Sequence, residues 1–311
     1  MQELSILITT LNGARTLGPL MEALTRLTVP VPAWRIVVVD NGSTDGTPGL
    51  LQRYAAALPL VLLREERRGM NIARNAGLEH VKGELVVFTD DDTIPARDWL
   101  VELVRAAEQH PECDIFGGAV VPLWPSPPPA WITDWVHLSV VYAKLEGLPA
   151  GPIKPGGVFG PNFAIRARAL AGQRFDPGTG PDGTATYAMG AETEFVVRLG
   201  GLGHRCYHVP TAVVQHTIRP NQMERPWILQ RAFRYGRLKA RLSTARARAR
   251  HVAGIPGYLY RRLGANAVVW LAATLARQAR TRFDAAWAYR ETLGYMAESR
   301  ALHARERAGR R

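Results

Sequence analysis

The sequence predicts an α/β fold: a mainly parallel sheet with helices on both faces, followed by a C-terminal helical extension. Three observations predict it. Through the first third of the chain, continuous apolar runs of strand length alternate with helical segments, the pattern of strands buried on both faces. The unusual polar residues cluster directly after those runs. Beyond Pro226 helical spacing takes over and the charge balance changes sign. A chain of 311 residues, 47% of them apolar, is long enough for one large domain with an appendage and excludes global disorder.

The elements follow in order. Leu4–Thr9 reads as a strand and Thr16–Leu27 as a helix. Arg35–Val39 is a second strand, with three consecutive valines, and Thr47–Ala57 a helix. Leu60–Leu63 is a third strand and Asn71–His80 a helix. Glu84–Thr89 is a fourth strand, and Arg97–His110 its helix. Right-handed crossovers place the carboxyl ends of such strands on one edge, where open α/β sheets bind ligands. Thr10 and Asn12 follow the first strand, Asp40 the second, Arg67 and Arg68 the third, and Asp90-Asp91-Asp92 the fourth. From Ile115 the rhythm changes. The run Trp124–Pro129, with four prolines, breaks regular structure. Residues 130–157 read as a loop with a short helix, and Gly157–Arg166 as a strand carrying Asn162 inward. Pro177–Gly190 is Gly-rich. Glu192–Leu199 is a helix, followed by strands near Cys206–Val209 and Ala212–His216. Ala265–Met296 has apolar residues at helical spacing, and its densest part, Ala265–Ala276, is shorter than the roughly 20 residues that span a bilayer. It reads as an amphipathic surface helix.

Charge divides the chain. Residues 219–311 hold 21 Lys/Arg against 5 Asp/Glu, whereas residues 1–218 hold 18 against 22. The expected organisation is a domain over 1–218 and a basic, mainly helical extension over 219–311. Such a tail suits an anionic partner. Two distant cysteines, Cys113 and Cys206, suit a reducing compartment. Glu3 and a strand-like run follow Met1 directly, so no secretory leader is expected.

Three adjacent carboxylates repel one another, and a hard divalent cation offsets that repulsion. Helix capping by Asp92 or Thr93 needs one such residue, not three. Asp40 heads a turn, Asp40–Thr47, and suits a contact to a nucleobase or ribose. Arg67–Gly77 is a basic loop entering a helix. It fits either a phosphate site or a solvated turn with Arg74 in an ordinary ion pair. Glu192 and Glu194 open a helix, where one could accept a hydroxyl proton; acidic residues there also complement the helix dipole, and the residues alone favour that second reading. His216 ends a strand; a lone histidine is usually structural, but imidazole is also a frequent metal ligand. Gly178–Gly183 spells G-x-G-x-x-G but lacks the flanking strand and helix of a dinucleotide site.

Taken together, SILITTLNGARTL, IVVVDNGSTDGT, GMNIARNAGL and LVVFTDDD resemble, in order and spacing, the family 2 glycosyltransferases of bacterial surface-polysaccharide type. The resemblance runs from Leu4 to His216 and implies the GT-A fold, a nucleoside-diphosphate sugar donor (UDP- or GDP-linked), a Mg²⁺ or Mn²⁺ ion and inversion at the anomeric carbon. It implies nucleotide-sugar contacts from Thr10, Asn12, Asp40, Arg74, Asp90 and Asp91, and metal contacts from Asp92 and His216. GPNFAIRARAL resembles the acceptor-side segment. The family's G-E-D base motif stands here as Gly190-Ala191-Glu192, which makes Glu192 the expected base and Glu194 the reserve.

The implied reaction transfers sugar to a hydroxyl of a glycan or lipid-linked acceptor. A sugar nucleotidyltransferase is the alternative, although Leu11–Arg15 lacks the Gly-rich loop that such enzymes carry. Nucleic acid as a partner of the tail is disfavoured by the acidic body. The crowded Arg231, Arg234, Arg237, Lys239, Arg241, Arg246, Arg248 and Arg250, with Trp270, Phe283, Trp287 and Tyr289, suit an anionic leaflet. The alternative is a helical appendage packed on the catalytic domain, or a homodimer through these helices. The expected location is cytoplasmic, peripheral on the inner face of the plasma membrane.

Overall fold

The computed structural model describes residues 1–243 and 249–308. Arg246 and Arg248 of the basic cluster therefore lie outside the described residues. The chain forms two compact units. The first comprises Met1–Trp124, Tyr142–Gly183 and Ala191–Ile218; the second comprises Pro125–Val141, Thr184–Gly190 and Arg219–Arg311.

In the first unit, β1 (Glu3–Thr10), β2 (Ala33–Asp40), β3 (Leu60–Arg64) and β4 (Leu85–Asp90) pair in parallel, linked by α1 (Leu17–Leu24), α2 (Thr47–Tyr54) and α3 (Met70–Leu78). These elements follow the sequence expectation closely, because each strand is built around an apolar run such as Ile36–Val39 or Leu85–Phe88. Leu4, Ile6 and Ile8 of β1 enter one core, and Leu7 enters another on the opposite face with Val37 and Val39. Gly77 lets α3 sit on the sheet: a Cβ there would collide with Leu7 and press on Val39.

Beyond β4 the sheet becomes mixed. β5 (Thr93–Pro95) and α4 (Trp99–Gln109) lead to β6 (Ile115–Leu123). Then come β7 (Gly151–Ile153), β8 (Phe163–Arg166) and the helices α7 (Ala167–Leu170) and α8 (Ala191–Gly201). The two strands expected after Cys206 are one, β9 (Cys206–Thr217). The strand order is β3-β2-β1-β4-β8-β6-β9-β5, with β7 also on β9. β8 is antiparallel to β4 and β6, and β6 is parallel to β9. Of the strand expected at Gly157–Arg166 only Phe163–Arg166 forms, because Pro155–Gly157 turns as a 3-10 helix.

Asn162 holds this mixed part together. The β6–β9 register shifts between Gly118 and Ala119. The Asn162 amide donates to the carbonyls of Ala119 (2.7 Å) and Ala212 (2.8 Å), and its carbonyl accepts from Trp99 Nε1 at 2.8 Å. Groups left over by the irregularity are thereby satisfied inside the core.

In the second unit, α5 (Ala130–Trp135) and α6 (Leu138–Tyr142, whose last residue clusters with the first unit) are short. α9 (Arg225–Leu242) is followed by the two-residue strands β10 (His251–Val252) and β11 (Ile255–Pro256). α10 (Tyr258–Leu275) and α11 (Ala279–Ala308) complete it. The single helix expected over Ala265–Met296 is thus two. Arg277 adopts a left-handed φ of 55°, and the N–H groups of Arg277 and Gln278 bond back to Thr274 and Ala273. That is a helix-terminating Schellman arrangement, with arginine where glycine is usual.

Several aromatic and basic residues assigned to a leaflet are also used internally. Phe283 and Trp287 are buried. Arg237 and Arg241 pair with the buried Glu298, and Lys239 pairs with the buried Glu291. Sequence spacing shows that charges are crowded, but not which of them have a partner on another helix.

Candidate functional site

The chain leaves β4 at Asp90, turns through Asp91 and Asp92, and re-enters the sheet as β5, antiparallel to the end of β9 with Thr93 opposite His216. Thr217 N–H donates to the Asp92 carbonyl at 2.8 Å. This pairing brings Asp92 Oδ1 to 3.5 Å from His216 Nε2. His216 Nδ1 lies 2.9 Å from the Tyr142 carbonyl, which can only accept. Nδ1 therefore carries a proton, and Nε2 is the nitrogen turned toward the carboxylate. Burial opposes protonation of His216, but the hydrogen bond and charge of Asp92, with help from the Tyr142 carbonyl and Asp90, outweigh it and raise the pKa.

Asp90 is the electrostatic centre of the group. Burial, opposed by the nearby Arg74 and by His216 and aided by Asp92 and Glu192, leaves its carboxyl raised to about 6. Arg74 Nη2 approaches Asp90 Oδ1 at 3.2 Å, and its guanidinium lies 5.4 Å over the Phe175 ring. Among the described residues, Arg74 Nη1 is buried without a hydrogen-bond partner. Asp91 takes a separate direction and accepts from Thr10 Oγ1 at 2.5 Å.

The loop after β2 docks on the loop after β1. Asn12, at a left-handed φ of 54°, accepts from Thr44 N–H at 2.8 Å, and its own N–H donates to Ser43 Oγ at 2.8 Å. Asp40 is buried; it accepts from Ser43 N–H at 2.9 Å and faces Arg64 at 3.3 Å. Asn41 bridges to the third loop, donating to the carbonyls of Glu65 and Arg67 and accepting from Gly69 N–H.

A cavity of 240 Å³ opens among these loops, lined by Thr9, Thr10, Leu11, Asn41, Gly69, Met70, Asp91, Pro181 and Gly183. The Gly-rich segment that failed as a dinucleotide motif thus reaches this cavity by another route: Met70 N–H donates to the Pro181 carbonyl at 2.8 Å. Sequence reasoning missed Asn41, Met70 and Pro181. An Asn after a strand carried a signal, but a main-chain bond to Pro181 carried none.

Glu192, at the start of α8, lies against Gly160, where an added Cβ would come within 3.1 Å of its carboxyl carbon. Its charge reaches Asp90. Glu194 is instead held by Arg198 at 3.1 Å, one turn along the helix. The structure therefore gathers Arg74, Asp90, Asp92, His216 and Glu192 around one centre and Thr10 with Asp91 beside it. Asn12 and Asp40 share the neighbouring loops, and Glu194 is tied to its own helix. Arg67 is exposed and bound to Glu65.

Among the described residues no three His, Cys, Asp or Glu side chains form a ready metal cage. The donors present still suit a hard cation of the Mg²⁺ or Mn²⁺ kind, which is held by one or two side chains and completes its shell with phosphate and water oxygens. Crowded carboxylates and a histidine oriented through Nδ1 are the chemistry such an ion needs.

The Glycosyl transferase family 2 model matches residues 5–171. The chain is 32% identical over 124 residues to "Glycosyltransferase AglE" of Haloferax volcanii, covering 39% of this chain and 40% of that protein. The chain spans less than two thirds of the length of the curated relatives it matches. Among solved structures, a mannosyltransferase from Pyrobaculum calidifontis in complex with GDP-Man and Mn²⁺ superposes with a TM-score of 0.63 at 20% identity, covering 95% of this chain and 86% of that one. S. aureus TarS 1–349 in complex with UDP-GlcNAc superposes with a TM-score of 0.53 at 17% identity, covering 99% and 92%. These likenesses show a shared fold, GT-A, with its mainly parallel central sheet.

Proposed function

The chain belongs to glycosyl transferase family 2, and from that premise we propose an inverting enzyme that moves a sugar from a nucleoside-diphosphate sugar to an acceptor hydroxyl in surface polysaccharide or glycolipid assembly. The observation that carries the reading is the grouping of Asp92, His216, Arg74 and Glu192 around Asp90 at the sheet edge. A UDP- or GDP-sugar is the proposed donor, a choice supported by the GDP-Man and UDP-GlcNAc complexes of the two structural neighbours. Residues 1–218 are proposed as the catalytic domain and 219–311 as its helical extension.

Thr10, Asn12 and Asp40 would receive the nucleotide, with Asp90 and Asp91 toward ribose and diphosphate. Asp40 retains lone pairs for a base or ribose donor beyond its bond from Ser43. Arg74 neutralises Asp90, and its unused Nη1 is an N–H donor for a phosphate oxygen. Asp92 and His216 would hold a Mg²⁺ or Mn²⁺ ion, which when bound offsets negative charge on the departing diphosphate. Glu192 takes the proton of the acceptor hydroxyl as its oxygen bonds to the anomeric carbon. The bond to the diphosphate breaks on the opposite face, so a single displacement inverts the centre. The acceptor is a glycan or a lipid-linked sugar, and the location is peripheral to the cytoplasmic face of the plasma membrane. No described helix is long and apolar enough to cross a membrane.

A panel of UDP- and GDP-sugars, followed by nucleoside-diphosphate release, tests the proposal. Release should require Mn²⁺ or Mg²⁺ and stop on chelation. Asp92→Asn should cut it by about 100-fold or more, and His216→Ala should raise the metal concentration for half-maximal rate by about tenfold. Release of pyrophosphate in place of nucleoside diphosphate would overturn the reading.

A further inference from the structure

α10 has a C-terminal half that carries no charge, and its side turned away from α11 is apolar and uncovered. Its first turn is seated, with Leu259 buried among Ala240, Tyr295 and Met296. From Gly264 to Ala276 the segment GANAVVWLAATLA contains no charged side chain, and Ala273 alone is buried. Val268 is 68% and Leu275 77% exposed, and Val269, Trp270 and Leu271 are exposed beside them. An apolar helix face is normally enclosed by protein or lipid. Trp270 also lines an apolar groove of 420 Å³ with Leu229, Ala267, Ala286, Tyr289 and Arg290, so the uncovered surface continues into a slot between α9, α10 and α11.

The flanks are basic. Arg261 and Arg262 precede the segment, Arg277, Arg280 and Arg282 follow it, and no acidic residue lies between Gly257 and Arg282. Arg262 is engaged by Glu291 at 2.8 Å, and Arg280 stands 3.9 Å from Asp284. Arg261, Arg277 and Arg282 make no ion pair among the described residues.

We propose that the 264–276 segment of α10 is a docking surface for an anionic phospholipid bilayer. It lies in the plane of the interface with Val268, Leu271 and Leu275, which share one face of the helix, among the acyl chains and the flanking arginines at the headgroups. At 1.5 Å per residue the segment is about 20 Å long, too short for the ~30 Å hydrocarbon core, so it rests on the leaflet and does not cross it. The proposal deepens the peripheral location given above and is independent of the chemistry assigned to Asp92 and Glu192. Charge decides between lipid and a second copy of the chain. Antiparallel pairing of two α10 helices about a two-fold axis would bring arginines of one copy toward arginines of the other, with no acidic residue in the segment to offset them. An anionic leaflet supplies that offset.

Flotation of the full chain with phosphatidylcholine vesicles, with and without phosphatidylglycerol, tests the proposal. The protein should float with the anionic vesicles and be released by salt. Leu271→Glu with Leu275→Glu should weaken flotation by about tenfold or more. Both side chains are exposed, so the doubly substituted protein should keep its melting temperature. Its nucleoside-diphosphate release from soluble donor should also be unchanged, which separates failure of docking from failure of the catalytic reading. Wild-type protein that stays unbound, substituted protein that floats equally well, or substitutions that split a dimer and leave flotation unchanged would each overturn the proposal.

Discussion

Asp90 shows how much of this site is set by neighbours. Its carboxyl is drawn up to about 6 by burial, against the pull of Arg74, with Asp92 and Glu192 adding to the rise. Such a group tolerates a second negative charge only when cations are close, and the chain supplies Arg74 and His216 for that purpose. Glu192 is the carboxylate beside this cluster that no residue of its own helix restrains in the way Arg198 restrains Glu194. Glu192→Gln should therefore lower kcat by about 10²- to 10⁴-fold and leave the donor dissociation constant within about twofold; calorimetric titration with donor beside steady-state rates measures both. Asp114 carries a prediction about stability. Burial raises its pKa, but hydrogen bonds and charge from His204 and Arg168 outweigh that and hold it below its ordinary value of 3.8. A depressed carboxyl stabilises the fold above its unfolded pKa, and that contribution disappears as pH falls through the folded value. Asp114→Asn should cost about 1–3 kcal/mol at neutral pH. Urea titrations should show the two proteins converging as pH falls below 3.8 and on through the lowered folded value.

At the scale of elements, α9 and α11 touch backbone to backbone. A Cβ at Gly236 would overlap the Glu291 carbonyl, and one at Gly294 would overlap the Phe233 carbonyl. Helix propensity alone favours alanine over glycine by about 1 kcal/mol. The collision is with main chain, which cannot turn aside, so packing should win. Gly236→Ala and Gly294→Ala should each destabilise by about 1–3 kcal/mol or more, seen as a lower melting temperature. The close approach also explains the buried ion pairs. With the helices this near, Glu298 reaches Arg237 and Arg241 and Glu291 reaches Lys239, while α10 adds Arg262 to Glu291. Cations that looked available for a partner are the internal counterions of two buried acids.

At the scale of the molecule, the second unit draws on three stretches of chain. Trp131 meets Phe283 edge-on at 5.9 Å and Trp135 lies tilted against it at 6.2 Å, Arg234 lies 4.3 Å over Tyr187, and a Cβ at Gly190 would press into Leu238. A chain ending at Ile218 keeps Trp131, Trp135 and Tyr187 but loses the helices they pack on. That truncation should melt at a lower temperature and elute as aggregate in gel filtration. A monomer with an unchanged melting temperature would show that 1–218 stands alone.

The sequence by itself determined the parallel half of the sheet, because strands buried on both faces are written as unbroken apolar runs such as Ile36–Val39. It also determined which residues stand at the strand ends, since that follows from where those runs stop. It could not determine β9 as a single strand through Pro210, or the division of Ala265–Met296 at an arginine in a left-handed conformation. Both depend on partners distant in the chain. Tertiary structure alone decided that Asp92 faces His216, since their meeting rests on β5–β9 pairing across more than a hundred residues. It alone decided that Pro181 joins the cavity and that Glu194 is tied to Arg198. Local sequence records what a segment prefers, whereas the partner of each polar atom is settled only when distant segments pack.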